Sequence, residues 1–273
     1  MNPVIINSKT VLFGVIGDPI THSLSPLMHN TAFAETGFNG AYLAFGVKDV
    51  EGVIRGMRAM NIKGLSVTIP HKLTVMKYLD EIDEQAKNIG AVNTVINRDG
   101  HLFGYNSDCF GAMNALLEKT AIKGKKVLLV GAGGAARAIG FGIKKEGGDL
   151  TLLNILRDEG DALAKDLGVA CHPLEDYHKF DCDILINATP LGMTPNTDAM
   201  PVPVDYLKKE RVVMDIVYNP LKTKLLKEAE KIGCTTVDGV SMFVYQGASQ
   251  FESFTGLKAP VALMRKTVLE ALS

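Results

Sequence analysis

The stretch VLLVGAGGAARAIGFGI, from Val127 to Ile143, constrains the fold of this chain more than any other. It reads as a four-residue apolar strand, a glycine turn and a helix, and Gly131, Gly133 and Ala136 fit the pattern G-x-G-x-x-A. The first glycine permits a tight turn, and the second lets backbone approach a pyrophosphate. The small third residue lets helix and strand pack closely, while the helix N-terminus presents unpaired N–H groups to the phosphates. Alone the motif is weak, and a glycine turn that serves only packing is the bland alternative. Its setting between an apolar strand and a helix favours a dinucleotide cradle made by Gly131, Ala132, Gly133, Gly134 and Ala135.

The end of the next strand bears on which dinucleotide is held. A carboxylate there accepts hydrogen bonds from the adenosine ribose, whereas an arginine holds a 2′-phosphate. Asn154 closes that strand and is followed by Ile155, Leu156, Arg157, Asp158 and Glu159. At ~6 Å and an effective dielectric of ~20 to 80, each carboxylate would repel a 2′-phosphate by ~0.7 to 3 kcal/mol. Arg157 offsets part of this. The expectation is therefore NAD ahead of NADP, with dual use left open. A solvated helix start is the alternative reading of the charged trio.

Two halves with similar grammar flank this motif, without a short internal repeat. In the first, strand-like runs at Val11–Ile16, Ala41–Val47, Gly64–Thr68 and Ala91–Asn97 alternate with helical spacing at Pro26–Thr36, Val50–Met60 and Leu73–Leu79. A helix near Asn106–Leu117 leads out of it. The second half has strands at Val127–Val130, Leu150–Asn154, Asp183–Asn187, Val212–Ile216 and Thr235–Val237, and the tail is helical over Met242–Phe254 and Val261–Leu272. Alternation of this kind implies α/β layers with mostly parallel sheets. The expected domains are 1–108 and 109–241, with 242–273 returning to the first.

Composition narrows the function classes. At 273 residues, 47% hydrophobic and 22% charged, the chain has the make-up of a soluble globular protein with room for two domains. A net charge of −1 with no long basic run gives no reason to expect nucleic acid or an anionic membrane as partner. No apolar run approaches the ~18 residues of a membrane span. Four scattered cysteines, Cys109, Cys171, Cys182 and Cys234, form no CxxC pair, so reduced thiols in the cytoplasm are expected. No Cys/His cluster has ligand spacing, and no metal is expected.

Polar residues in the first half are odd for plain scaffold. GLSVTIPHKLTV places Ser66, Thr68 and Lys72 at a strand end and the turn after it. GAVNTVIN places Asn93 in an apolar strand, and GYNSDCFGAMNAL places Asp108 at a helix start. Each has a bland reading: a surface lysine, a strand-end turn former, a helix N-cap. Together they suit a pocket for a small polyol acid, beyond the carboxyl ends of strands where α/β sheets bind ligands.

The motifs GDPITHSLSPLMHN, VTIPHK, GAVNT, GYNSD, GAGGAARA, NATPLGM, DIVYNP and VDGVSMFVYQGA occur in this order, and with them the chain resembles the shikimate dehydrogenase family over essentially its whole length. The resemblance implies an N-terminal α/β substrate domain, a Rossmann-type doubly wound domain and a cleft between them. It implies reversible oxidation of shikimate by hydride transfer from the ring C3 carbon to a nicotinamide cofactor, as used in chorismate and aromatic amino acid biosynthesis. Monomer and homodimer are both open. Carried over by position, Lys72 would carry the hydroxyl proton beside Asp108. Ser23 and Ser25 would hold the substrate carboxylate, and Thr68, Asn93, Tyr218 and Gln246 would line the ring. Thr189, Ile216, Gly239 and Met242 would touch the cofactor, with Gly131–Ala135 and the region of Asn154.

Two departures stand out. Ser66 occupies the place of a usual asparagine beside the substrate hydroxyls, and Asn154-Ile155-Leu156 replaces a usual Asn-Arg-Thr. Both, with VYQGASQFESFTG, make the chain similar to the quinate/shikimate branch, so quinate joins shikimate as an expected substrate. The serines themselves suit a neutral carboxylate cradle. Two apart on an extended segment, they face the same way. Pro26 suits the first helical position, which would make Ser25 the N-cap and add the helix N-terminus to the cradle. His22 and His29 are read as plain structural residues. A Ser/His hydrolase lacks its G-x-S-x-G elbow here. A non-catalytic sensor of nucleotide or shikimate remains the alternative, against which Lys72 and Asp108 argue. A carboxylate beside Lys72 favours its charged form whereas a base must be neutral, a tension that a shared proton or burial resolves.

Overall fold

The computed structural model describes residues 6–273. Its elements run β1 (Val11–Gly17), α1 (Ser25–Thr36), β2 (Gly40–Gly46), α2 (Val50–Ala59), β3 (Gly64–Val67), β4 (Glu81–Ile82), α3 (Glu84–Ile89), β5 (Thr94–Arg98) and β6 (His101–Tyr105). They continue with α4 (Asp108–Leu117), β7 (Lys126–Val130), α5 (Gly134–Lys145), β8 (Asp149–Asn154), α6 (Arg157–Leu167), β9 (Cys171–Pro173), β10 (Ile184–Asn187) and β11 (Val212–Asp215). Last come α7 (Lys224–Ile232), β12 (Thr235–Val237), α8 (Gly239–Thr255) and α9 (Val261–Leu272). Two compact units result: the chain up to Ser107 with Gln246–Ala271, and Asp108–Tyr245 with Leu272–Ser273.

The first unit carries a six-stranded sheet in the order β2-β1-β3-β5-β6-β4. β1 pairs in parallel with β2 and β3, but β5 runs antiparallel to both β3 and β6. The sheet is mostly parallel, as expected, and β5 is the strand that runs against the others. Its pairing with β6 is set locally: Asp99 and Gly100 adopt positive φ and close a two-residue hairpin, which only antiparallel strands can use. Leu73–Leu79, expected as a helix, is a short 3-10 turn over Thr74–Tyr78. Behind the sheet, Ile54 and Met57 of α2 pack with Ile16, Leu65 and Val95 in one buried cluster.

The second half of α8 packs on this unit through glycines. A Cβ on Gly64 would lie 2.4 Å from the Phe254 ring, and one on Gly247 would lie 2.2 Å from Met28 Cε. The Phe254 ring also packs, tilted, against Phe13 with centroids 5.2 Å apart. The second half of α8 therefore covers part of a sheet built from the first 105 residues of the chain.

The second unit carries a wholly parallel sheet in the order β12-β11-β10-β7-β8-β9. Counted from β7, this is the doubly wound order 3-2-1-4-5-6, with the reversal between β7 and β10 where dinucleotides bind. Buried runs such as Val127–Val130 and Ile184–Asn187 explain the near-continuous apolar strands seen in the sequence, since helices cover both faces. Gly142 of α5 allows the close approach of Met113 on α4. All four cysteines are free thiols, and no described helix is long and apolar enough to cross a membrane.

Candidate functional site

In the second unit β7 ends in the glycine turn. Gly131 has φ of 117°, a conformation that favours glycine, and a Cβ there would lie 2.9 Å from the Ala188 carbonyl oxygen. Gly133 caps α5 with no side-chain bond, and a Cβ on it would meet nothing within 4 Å. The N-terminal N–H groups of α5 thus face open space with little side-chain cover from Gly133, Gly134 and Ala135. This fits a diphosphate. Ala136 is fully buried, the close-packing position of the motif.

Thr189 follows β10, where its N–H and hydroxyl both donate to Asn187 Oδ1, at 3.1 and 2.6 Å. Ile216 and Tyr218 follow β11, with the Tyr218 ring stacked on Phe243 at 4.6 Å. Gly239 opens α8 so close to the chain after β11 that a Cβ would lie 2.5 Å from the carbonyl oxygens of both Ile216 and Val217. No other residue fits there. Met242, one turn further along α8, is buried.

At the end of β8, Asn154 Nδ2 donates to the Leu156 carbonyl at 2.7 Å and shapes the entry to α6. Leu156 caps α6 without a side-chain bond, so the N-terminal N–H groups stay available to a ligand. Arg157, Asp158 and Glu159 are all exposed, and Arg157 pairs loosely with Asp161 at 3.4 Å.

In the first unit a buried polar chain runs across the sheet. Asn93 stands just before β5 rather than within it. Its Oδ1 accepts from the Ser107 N–H at 2.8 Å and from the Thr94 hydroxyl at 2.7 Å, and its Nδ2 donates to Ser107 Oγ at 2.9 Å. A backbone N–H can only donate, so the amide's orientation is settled. Gln246 Oε1 accepts from Ser107 Oγ at 3.5 Å. Gln250, four residues along α8, donates to the Asn93 carbonyl (3.1 Å) and Thr94 Oγ1 (3.0 Å). Its Oε1 accepts from the Ser66 hydroxyl at 2.8 Å, which accepts in turn from the Tyr42 hydroxyl at 2.6 Å. Ser66, Asn93 and Gln246 are therefore brought together. Gln250, Tyr42, Thr94 and Ser107 belong with them and were not singled out from the sequence. The signal for Gln250 was its i, i+4 spacing from Gln246 on one helix face.

Ser23 and Ser25 stand at the start of α1, where Ser23 Oγ accepts from the Ser25 N–H at 3.3 Å. The expected N-cap at Ser25 is corrected by one position: Leu24 is the cap, has no side-chain bond, and Ser25 already belongs to the helix. The reason is Pro26, which fits N1 and N2 alike because neither position needs its N–H. Thr68 is half-buried after β3 and its N–H donates to the Ile16 carbonyl. Lys72 is half-buried in the following turn, where its carbonyl accepts from the Val92 N–H at 2.9 Å. Asp108 is buried as the first residue of α4, in the second unit. His29 is fully buried and stacked on Tyr42 at 4.3 Å, and burial pulls its pKa down to about 3, so the ring is neutral.

Residues 15–95 match the model of the shikimate dehydrogenase substrate binding domain, and residues 239–269 match that of the shikimate 5′-dehydrogenase C-terminal domain. A protein named shikimate dehydrogenase (NADP(+)) from Methanococcus maripaludis is 44% identical, over 98% of this chain and all of its own length. A crystal structure of shikimate dehydrogenase in complex with NADP+ superposes with a TM-score of 0.94 at 42% identity, covering 98% of both chains. Quinate dehydrogenase from Corynebacterium glutamicum in complex with NAD superposes at 0.89 with 31% identity, over 96% of this chain and 99% of that one.

These likenesses correct the expectation of NAD ahead of NADP, since the relative is named for NADP(+) and the structure at 42% identity holds NADP+. Asp158 and Glu159 are exposed, and screening by solvent leaves their repulsion of a 2′-phosphate at the weak end of the range. The likeness extends to a quinate enzyme but does not single out the quinate branch. With an α/β fold of the same two domains and 44% identity over nearly all its length, the chain belongs to the shikimate dehydrogenase family, oxidoreductases acting on a CH–OH group.

Proposed function

We propose that this protein catalyses the reversible oxidation of shikimate to 3-dehydroshikimate with NADP. The observation that carries the reading is the pair of built sites in one chain. One is a buried amide and hydroxyl array at Ser66, Asn93 and Gln246; the other is an open glycine turn at the N-terminus of α5. A relative 44% identical over nearly the whole chain is named for this substrate and cofactor.

In this reading Ser23, Ser25 and the N-terminus of α1 hold the substrate carboxylate, and Thr68, Asn93, Tyr218 and Gln246 bind the ring hydroxyls. Lys72 takes the hydroxyl proton as the carbon is oxidised, and Asp108 orients the lysine and shares the proton's charge. The nicotinamide supplies the hydride acceptor. Gly131–Ala135 hold the diphosphate, Thr189, Ile216, Gly239 and Met242 flank the nicotinamide half, and Asn154 with Asp158 borders the ribose. Arg157, with the uncapped start of α6, meets the 2′-phosphate.

The test is a matrix of shikimate or quinate with NADP or NAD, followed at the absorbance of the reduced nicotinamide. Shikimate with NADP should give the highest kcat/KM. Quinate is included because Ser66 replaces an asparagine beside the ring hydroxyls. Arg157→Ala should raise KM for NADP several-fold and leave NAD unaffected. Silence in all four combinations would leave the non-catalytic sensor of nucleotide or shikimate as the better reading.

A further inference from the structure

Asp215, the last residue of β11, is fully buried and has no part in the proton or hydride transfer above. Three donors converge on it. Oδ1 accepts from Asn187 Nδ2 on the neighbouring β10 at 3.0 Å and from the Val217 N–H at 3.1 Å. Oδ2 accepts at 2.7 Å from the hydroxyl of Thr223, the residue whose oxygen caps α7.

Asn187, also fully buried, passes this arrangement to the following turn. Its Oδ1 accepts from the Thr189 N–H and hydroxyl, its Nδ2 also donates to the Leu191 carbonyl at 3.1 Å, and Thr189 Oγ1 accepts from the Leu191 N–H at 3.2 Å. Because the Thr189 N–H can only donate, the Asn187 atom facing it is oxygen, and the amide NH2 needs acceptors at its other end. The Leu191 carbonyl is one and the Asp215 carboxylate is the other.

We propose that Asp215 is a positioning residue for the cofactor, fixing the Thr189 turn through Asn187 and the chain beyond Ile216 through the Val217 N–H. This rests on the reading of Thr189 and Ile216 as cofactor contacts.

The charge state of Asp215 bears on the test. Burial pushes its pKa up to about 6 against the downward pull of Thr223, Val217 and Asn187. The groups that face it from β10, the start of α7 and the chain after β11 are these three, all uncharged. Near neutrality it is an acceptor for all three donors. Protonation puts a donor where one of them needs an acceptor, and the network loses a bond.

Asp215→Asn keeps the size and removes the charge. Binding is measured without turnover, from NADPH fluorescence at pH 8 and from NADH in a pH series, since the 2′-phosphate of NADPH itself titrates near pH 6. Loss of a hydrogen bond to a charged group should raise the Kd for NADPH about ten- to a hundred-fold. The Thr189 and Leu191 amides should exchange faster in the cofactor-free variant. The wild-type Kd for NADH should rise as pH falls through about 6, and that of the variant should not. An unchanged Kd for NADPH with unchanged exchange overturns the proposal. Should Asp215→Asn fail to fold, the wild-type series decides, and a flat Kd for NADH across pH 6 overturns it. If the wild type binds neither dinucleotide, the cofactor reading itself has failed, a result distinct from a variant that binds like the wild type.

Discussion

The Ser66 hydroxyl donates to Gln250 Oε1 at 2.8 Å, joining β3 to α8 across 184 residues of chain. Its only proton is thereby committed, and one of its lone pairs is taken by the Tyr42 hydroxyl. Ser66 can therefore offer a ligand no more than one remaining acceptor site. What replaces the amide of the usual asparagine is a glutamine from a distant helix, whose own amide orients Asn93 and Thr94 instead.

Gln250→Ala should accordingly hurt both stability and substrate binding. It leaves the buried Ser66 hydroxyl proton without its acceptor, at about 1 to 3 kcal/mol, and takes one of two donors from the Asn93 carbonyl, which keeps the Val67 N–H, so Tm should fall by several degrees. KM for shikimate should rise with it. Ser249→Ala on the same helix is the control, with a change of no more than about 0.5 kcal/mol. Calorimetry and steady-state kinetics on both variants check this.

The start of α1 should act on substrate affinity rather than on chemistry. Ser23→Ala and Ser25→Ala are each expected to raise KM for shikimate roughly ten-fold with kcat little changed, the effect of one lost hydrogen bond to a charged group. Unchanged KM in both variants would contradict the carboxylate cradle.

Lys72→Ala should do the opposite. A group that moves the proton in the transition state is worth about 10²- to 10⁴-fold in rate, so kcat should fall by that order with KM nearly constant. A large rise in KM with kcat preserved would make Lys72 a binding residue.

Acidification should pull the two units in opposite directions. His29 has a folded-state pKa of about 3, below its ordinary value, so it contributes stability that is present above the ordinary histidine pKa and is lost as pH falls. By pH 5 the loss amounts to about 2 kcal/mol. Asp215 has a raised pKa of about 6, so its contribution is present below the ordinary carboxylate range and is lost as pH rises through 6. Between pH 6 and 5, global stability measured by denaturant should therefore lose the His29 contribution and gain a smaller one from relief of the Asp215 desolvation, even as protonation costs the Asp215 network a bond. His29→Phe should abolish the first change and Asp215→Asn the second.

The Rossmann half was legible because its signals are local. A turn that needs glycine at Gly131, a small residue at Ala136 and unbroken apolar strands all lie within one short stretch. The first half was less legible where pairing depends on a turn: β5 runs against its neighbours, and the Asp99–Gly100 hairpin joins it antiparallel to β6. Asn93 was visible as a polar residue among apolar ones, but its partners Ser107 and Gln250 come from elsewhere in the chain, and only the fold assembles them. Asp215 passed unnoticed within DIVYNP for the same reason, since its meaning lies in Asn187 and Thr223. The cofactor preference was misjudged because sequence shows which charges are present near β8 but not that they point into solvent.

Transfer of a labelled hydrogen shows whether the ring carbon delivers its hydride to the nicotinamide. Shikimate carrying deuterium on the ring carbon of the oxidised hydroxyl is incubated with the protein and NADP, and the reduced cofactor is analysed by mass spectrometry and NMR. Direct hydride transfer predicts one deuterium at nicotinamide C4 for each 3-dehydroshikimate formed, with none released to water. Deuterium appearing in solvent, or no NADPH formed at all, would contradict the account.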